Sequence, residues 1–381
     1  MMSFPRSWTD PDLDSWRDTC VRFVQTELEP DDAASRARGH VGHAVWRKAG
    51  ELGLLCTDIP QEWGGAGGDF RHEAVMYEEC ARRGLSGWAN SVHSIVAHYF
   101  LNHGTEDQKR RYLPRLASGE LVGAIAMTEP GAGSDLQGVR SQAVKQGDHY
   151  RLNGNKTFIT NGLLAGVVLV VCKTDPTQGA RGTSILIVET KDCAGFKVGR
   201  VLDKMGMKAQ DTSELFFDEV RVPEANLLGG KEGQGFFQLM GDLPYERLII
   251  GVSAVASMEG AYAATLAYVN ERKVFGKPLI DIQNTRFKLA EVATQIKVGR
   301  AFMDRCVEDL VAGTLDTATA SMAKLWGSET QCRVLDECLQ LFGGYGYMNE
   351  YVIARMYADA RVQRIYGGTS EIMKEVISRQ L

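Results

Sequence analysis

Four segments of the 381-residue chain carry residue types whose spacing could hold a ligand. Residues 126–138, from Ala126 through Met127, Thr128 and Ser134 to Gly138, leave an apolar run for a loop dense in hydroxyls and free backbone N–H groups. Such a loop suits an anionic or heteroaromatic ligand edge, although a plain series of β-turns also fits it when taken alone. In residues 155–162, Phe158 and Thr160 stand two apart, on one face of an extended strand. One can cover a flat ring while the other donates to it. Residues 271–278 place Arg272, Lys273 and Lys277 at the end of a long helix, where a basic cap to the negative helix pole is the alternative reading. Residues 340–350 form a glycine-rich break between helices, and Arg355 and Asp359 follow at helical spacing.

Familiar cofactor and metal patterns are absent from the sequence. Gly131 and Gly133 lack the third glycine of a dinucleotide fingerprint and the βαβ context around it. No lysine follows a glycine-rich loop in the phosphate-binding manner. The histidines fall at irregular gaps, six of the seven between His40 and His103, so no metal is placed.

Three blocks of elements must position these segments. Apolar residues recur at helical spacing from Ser15 to about Ala117, as in Trp16, Cys20 and Phe23, broken by a glycine-rich loop at 60–68 and a turn at Gly104. Short β-branched runs follow at 121–127, 166–172, 183–188 and 214–222 with no helices between them, which predicts an antiparallel sandwich or barrel. Helical periods then return at about 235–272, 282–312, 317–341 and 351–364, with a last helix from Ser370. The expected fold is therefore an α+β multidomain chain. It has an N-terminal α-helical domain (1–120), a central antiparallel β domain (121–228) and a C-terminal four-helix bundle (229–381).

Composition narrows the partners. A net charge of −5 offers no basic face for nucleic acid. Residues 1–10 contain no apolar core of a secretory signal, so the chain is expected to be cytoplasmic. The longest apolar stretch, 248–269, contains Glu259 and reads as a buried helix, with no membrane insertion. The eight cysteines form no Cys-x-x-Cys pair and read as small hydrophobes in a reducing compartment. The 41 glycines exceed the usual share of about 7 %, so parts of the fold need tight turns or close backbone approach.

In this order and spacing, the four segments resemble the acyl-CoA dehydrogenase family of flavoproteins. The similarity covers nearly the whole chain, through residues 365–372. The resemblance implies a homotetramer (a dimer of dimers) that binds FAD between the β domain and the bundle. It also implies an acyl-CoA substrate and electron-transfer flavoprotein as electron acceptor. Carried over by position, Met127, Thr128 and Ser134 line the isoalloxazine and the pantetheine of the acyl-CoA. Phe158, where many relatives have Trp, stacks on the flavin, and Thr160 bonds to it. Arg272 and Gln283, with Gln340, Gly343 and Gly344 of a neighbouring subunit, hold the pyrophosphate and adenosine, and Thr369 and Glu371 close that pocket. Ser134, Phe237, Tyr245, Arg247, Gly367 and Gly368 are the implied substrate-binding residues.

The family reaction needs a base for a Cα proton while a Cβ hydride goes to flavin N5. Most relatives supply a glutamate directly after the tyrosine of the last motif, but here Gly367 follows Tyr366. The isovaleryl-CoA and long-chain dehydrogenases resemble this chain in pairing a glycine there with a glutamate in a Glu-Arg-Leu segment. The corresponding residue is Glu246, just after Pro244, a marker of helix irregularity. Read alone, Glu246 also fits an ion-pair partner on a bundle helix, and Arg247 either orients it or packs. A glycine at 367 widens the pocket near the thioester for long or branched chains. The competing readings are a flavin oxidase or monooxygenase of the same fold and a non-catalytic flavoprotein, including the family's nucleic-acid-associated relatives.

Overall fold

The structure, a computed structural model, describes residues 4–381; the first three residues of the leading segment lie outside it. The opening third is helical, as its periodicity predicts: α1 (Pro11–Phe23), α2 (Asp32–Arg38), α3 (His43–Glu51), α4 (Phe70–Arg82), α5 (Asn90–His103) and α6 (Glu106–Ala117). Local chemistry sets several boundaries. Asp69 with His72 and Thr105 with Gln108 form capping boxes that satisfy the free N–H groups at the starts of α4 and α6.

The middle third holds β1 (Gly123–Ala126), β2 (Gln142–Gln146), β3 (His149–Thr160), β4 (Val167–Lys173), β5 (Thr183–Glu189), β6 (Phe196–Val201) and β7 (Thr212–Pro223). They form one sheet in the order β1-β4-β2-β3-β7-β6, with β5 also paired to β4. The central domain is β, as expected, but its sheet is not wholly antiparallel: β1 runs parallel to β4, Gly123 opposite Val167. The chain between them contains the loop at 127–141 and the β2–β3 hairpin, long enough to bring β4 back in β1's direction. The short runs did not reveal β2 and β6. Gln142–Gln146 buries only Ala143, and Phe196–Val201 has no fully buried residue, so neither carries a strong apolar alternation.

The last third contains α7 (Gly235–Glu271), a small β8 (Lys273–Val274) and β9 (Lys277–Pro278) hairpin, α8 (Gln283–Val311), α9 (Thr317–Phe342), α10 (Val352–Ala360) and α11 (Ser370–Ser378). Three of these are long. The expected fourth long helix ends at Ala360 and tightens into a 3-10 turn over Arg361–Arg364, and α4 of the N-terminal segment also packs against α7. Gly260 permits the contact: a Cβ there would stand 2.0 Å from the carbonyl oxygen of Arg82 on α4. Helix α7 has the length and apolarity of a membrane span, and 78 % of its most apolar window is buried inside the protein. Pro244 does not break it; the helix runs unbroken from Gly235 to Glu271.

The cores cut across the three sequence blocks. One unites α1, α3 and α4 with α7, α8, α9 and α10. A second packs α5 and α6 on one face of β4 and β5, through Phe100, Tyr112 and Leu116 against Val167, Leu169 and Ile187. A third lies within the curved sheet, where Val168, Val170 and Leu186 meet Tyr150, Leu215 and Val220. Alternate residues of β4 thus serve two cores, and every residue of that strand is buried.

Candidate active site

The loop after β1 is held by a buried ion pair. Lys156 on β3 donates to Glu129 Oε1 at 2.8 Å and to the Met127 carbonyl at 2.9 Å, while Glu129 also accepts the Arg140 N–H at 2.6 Å and the Ser141 N–H at 2.9 Å. Burial works against the Glu129 charge, but Lys156 and these N–H groups hold its carboxyl below the usual range. The Thr157 N–H bonds the Thr128 carbonyl at 3.0 Å, which seats the loop against β3. Strand β3 has a bulge between Lys156 and Ile159, and Phe158 lies in the left-handed region at φ +58. The strand is therefore not regularly extended there. Its ring still points outward, 66 % exposed, and Thr160 two residues on is half-buried. Among the described residues the hydroxyls of Thr128, Ser134 and Thr160 have no hydrogen-bond partner. This is an open aromatic face with free donors around it.

A second group gathers at one end of the bundle. Arg272 follows α7 directly, its carbonyl accepts the Leu279 N–H at 2.7 Å, and its guanidinium sits 5.8 Å from the Tyr345 ring centroid. It has no carboxylate partner among the described residues. Gln283 opens α8, Gln340 lies in the last turn of α9, and Gly343 and Gly344 follow with open space where a Cβ would stand. All five are exposed. No hydrogen bond, ion pair or ring contact among the described residues joins this group to the β-domain loop.

The third group surrounds α7. Glu246 is half-buried, forms no ion pair among the described residues, and accepts one hydrogen bond, from the Tyr99 hydroxyl at 3.0 Å. Burial and then the like charge of Asp242 push its carboxyl up, the Tyr99 bond and Arg247 only partly offset them, and it stands at about 7. Gly367 approaches the same helix one turn on: a Cβ there would meet Ile250 Cδ1 at 2.6 Å, and its φ is +62. Lys324, fully buried on α9, donates to the Gly368 carbonyl at 2.6 Å and fixes that turn. Burial lowers its ammonium to about 8. Thr369 caps α11 by accepting the Ile372 N–H, with Glu371 exposed in the first turn.

The comparisons with known proteins agree over nearly the whole chain. Residues 10–120, 124–220 and 233–381 match the N-terminal, middle and C-terminal domains of acyl-CoA dehydrogenases. The long-chain specific acyl-CoA dehydrogenase, mitochondrial, of Mus musculus is 49 % identical over 371 residues, 97 % of this chain and 86 % of that protein. The chain belongs to the acyl-CoA dehydrogenase family. The crystal structure of acyl-CoA dehydrogenase from Geobacillus kaustophilus is 44 % identical and superposes with a TM-score of 0.96 over 99 % of both chains. A glutaryl-CoA dehydrogenase from Mycobacterium smegmatis in complex with FADH2 is 30 % identical, with a TM-score of 0.90 over 98 % of this chain and 95 % of that one.

Acyl-CoA dehydrogenases are FAD flavoproteins, and the residues present fit that cofactor. The exposed Phe158 face with unpaired Thr128 and Thr160 hydroxyls matches a flat heteroaromatic ring. The unpaired Arg272 guanidinium matches a diphosphate. Not every implied residue reaches a site. Phe237 is exposed near the start of α7, but the Tyr245 hydroxyl is committed to Asp58 Oδ2 at 3.1 Å and its ring lies on His98, 4.0 Å between centroids. Arg247 is buried and donates to the Ser321 hydroxyl of α9 at 2.9 Å. Tyr99, Asp242, Lys156, Glu129 and Lys324 escaped the sequence reading. A partial signal existed for Asp242, which precedes Glu246 by one helical turn, and for Lys156, which lies inside the second segment.

Proposed function

We propose that this acyl-CoA dehydrogenase desaturates long-chain or branched acyl-CoA thioesters to trans-2-enoyl-CoA, with Glu246 as the base. The carrying observation is the Glu246 carboxylate itself: without an ion-pair partner among the described residues, raised to about 7, and one helical turn before Ile250, which Gly367 approaches at the position where the base of most relatives would stand. A group with a proton affinity near the working pH is effective both at holding and at releasing the abstracted proton. Bound FAD supplies the two-electron acceptor for the Cβ hydride. The Lys156–Glu129 pair holds the loop that presents Thr128 and Ser134 to the ring and the thioester, Phe158 stacks on that ring, and Thr160 bonds its edge.

Arg272 and Gln283 bind the diphosphate side. Gln340, Gly343 and Gly344 complete it from a second subunit, a role supported by their exposure at one end of the bundle and the open space beside both glycines. Thr369 and Glu371 border the same pocket. Assembly as a dimer of dimers, with electrons passing to electron-transfer flavoprotein, fits the same reading, and the exposed Phe275 and Tyr347 rings supply apolar surface for subunit contact. The test is an anaerobic titration of the FAD-loaded protein with short, long and branched acyl-CoAs, followed by transfer to an artificial acceptor. Flavin bleaching by long or branched chains, slow reoxidation in air and turnover with the acceptor are expected. No bleaching with any thioester, or rapid reaction with oxygen, contradicts the reading.

A further inference from the structure

Helices α5 and α7 face each other through two rungs. Tyr99 donates to Glu246 Oε1 at 3.0 Å, and four residues on along α5, His103 Nε2 lies 2.8 Å from Asp242 Oδ2, four residues back along α7. Asn102 donates to the other Asp242 oxygen at 2.6 Å. The spacing is that of one helical turn on each element, so both rungs share one interhelical seam. Tyr99 is fully buried, and its hydroxyl has no other partner among the described residues. Glu246 Oε2 has no hydrogen-bond partner at all among them.

We propose that this seam is the positioning device of the base: Tyr99 aims Glu246 by binding Oε1 so that Oε2 takes the proton, and the His103–Asp242 rung fixes a neighbouring charge that sets its proton affinity. The proposal rests on Glu246 being the base. In the step, the substrate Cα–H bond breaks and its proton moves to Oε2. The electron pair left at Cα closes the Cα=Cβ bond as the Cβ hydride departs to the oxidised FAD. The neutral acid keeps its Oε1 contact with Tyr99 throughout, so the side chain does not turn between accepting a proton and releasing it.

Among the described residues, the charged and titratable groups acting on Glu246 are Tyr99 from α5 and Asp242 and Arg247 from α7 itself, with His103 of α5 bonded to Asp242. On α9, Lys324 is engaged with the Gly368 carbonyl and Ser321 with Arg247. A hydrogen bond to the carboxylate favours its charged form, whereas a fixed negative charge nearby disfavours it. The two rungs therefore act in opposite directions.

The experiment measures the anaerobic rate of flavin reduction by a saturating acyl-CoA across pH in the FAD-loaded parent, Tyr99→Phe, Asp242→Asn and Glu246→Gln. Tyr99→Phe should keep FAD and change KM less than about twofold, while the reductive rate at slightly acid pH falls about tenfold because the midpoint moves up by about one pH unit. Asp242→Asn should move the midpoint down. An unmoved midpoint in both, with Glu246→Gln inactive, overturns the seam and leaves the base standing. Rapid reduction in Glu246→Gln overturns the base and the seam together. If Tyr99→Phe loses FAD, Asp242→Asn decides: a downward shift supports the seam, and an unmoved midpoint overturns it.

Discussion

Glu78 on α4 is fully buried and Glu246 on α7 is half-buried, and their carboxyls are pushed in opposite directions. Burial pushes both up. At Glu78 the guanidinium groups of Arg300, Arg6 and Arg82 outweigh it, and the carboxyl falls to about 2. At Glu246 burial, with Asp242 adding to it, wins over the single Tyr99 hydroxyl and Arg247, and the carboxyl rises to about 7. The first arrangement fastens α4 to α8 and, through Arg300 and Arg82 on Glu259, to α7. The second leaves an uncompensated carboxylate, which costs stability and suits proton transfer. Three guanidinium groups hold one carboxylate down, while the other, with a single arginine beside it, is pushed up.

The strongest way to break that contrast is to remove the cation. Arg300→Met leaves Glu78 and Glu259 short of their shared partner, which is bonded to them at 2.5 and 2.7 Å, and stability should fall by about 3–5 kcal/mol in denaturant unfolding. A loss under about 1 kcal/mol would show that Arg6 and Arg82 alone suffice. At Glu246 the sign is reversed. A carboxyl raised in the folded state favours folding when protonated, and that contribution disappears as pH climbs through about 7. Glu246→Gln should therefore be more stable than the parent above pH 7, by up to about 3 kcal/mol, and the gain should shrink to nothing by about pH 4. A gain independent of pH would mean that Glu246 is not the strained group.

The smallest effect concerns Gly367. Alanine there must accept φ +62 and displace Ile250 Cδ1, a flexible side-chain end, so about 1 kcal/mol of stability should be lost. Turnover of branched or long acyl-CoAs should drop more than that of short ones, read as kcat/KM ratios. Equal losses on all chains would separate position 367 from the acyl path.

The elements were largely legible because their apolar periods are long: α7, α8 and α9 end within a residue or two of the boundaries that spacing predicts. The residues proposed to face the ligands could be singled out from the sequence, since Thr128, Phe158 and Arg272 lie in unusual local sequence. What stayed hidden depends on contacts distant in sequence. Tyr99 meets Glu246 only because α5 and α7 pack together, and nothing around Tyr99 in the sequence marks it. The parallel β1–β4 pairing is likewise a property of chain return, invisible in either strand. The left-handed turn at Phe158 and the Lys156–Glu129 pair beneath the loop belong to a bulge that strict alternation cannot anticipate. Glu246 is proposed as the base because of a vacancy at Gly367, and its raised carboxyl suits that proposal.

The central claim is that Glu246 removes the proton. The most direct measurement mixes FAD-loaded Glu246→Gln anaerobically with a long-chain acyl-CoA and follows flavin absorbance through a single turnover. The account predicts retained FAD, thioester binding near the parent's affinity, and bleaching slowed by about three orders of magnitude or more. Bleaching at close to the parent rate would contradict it.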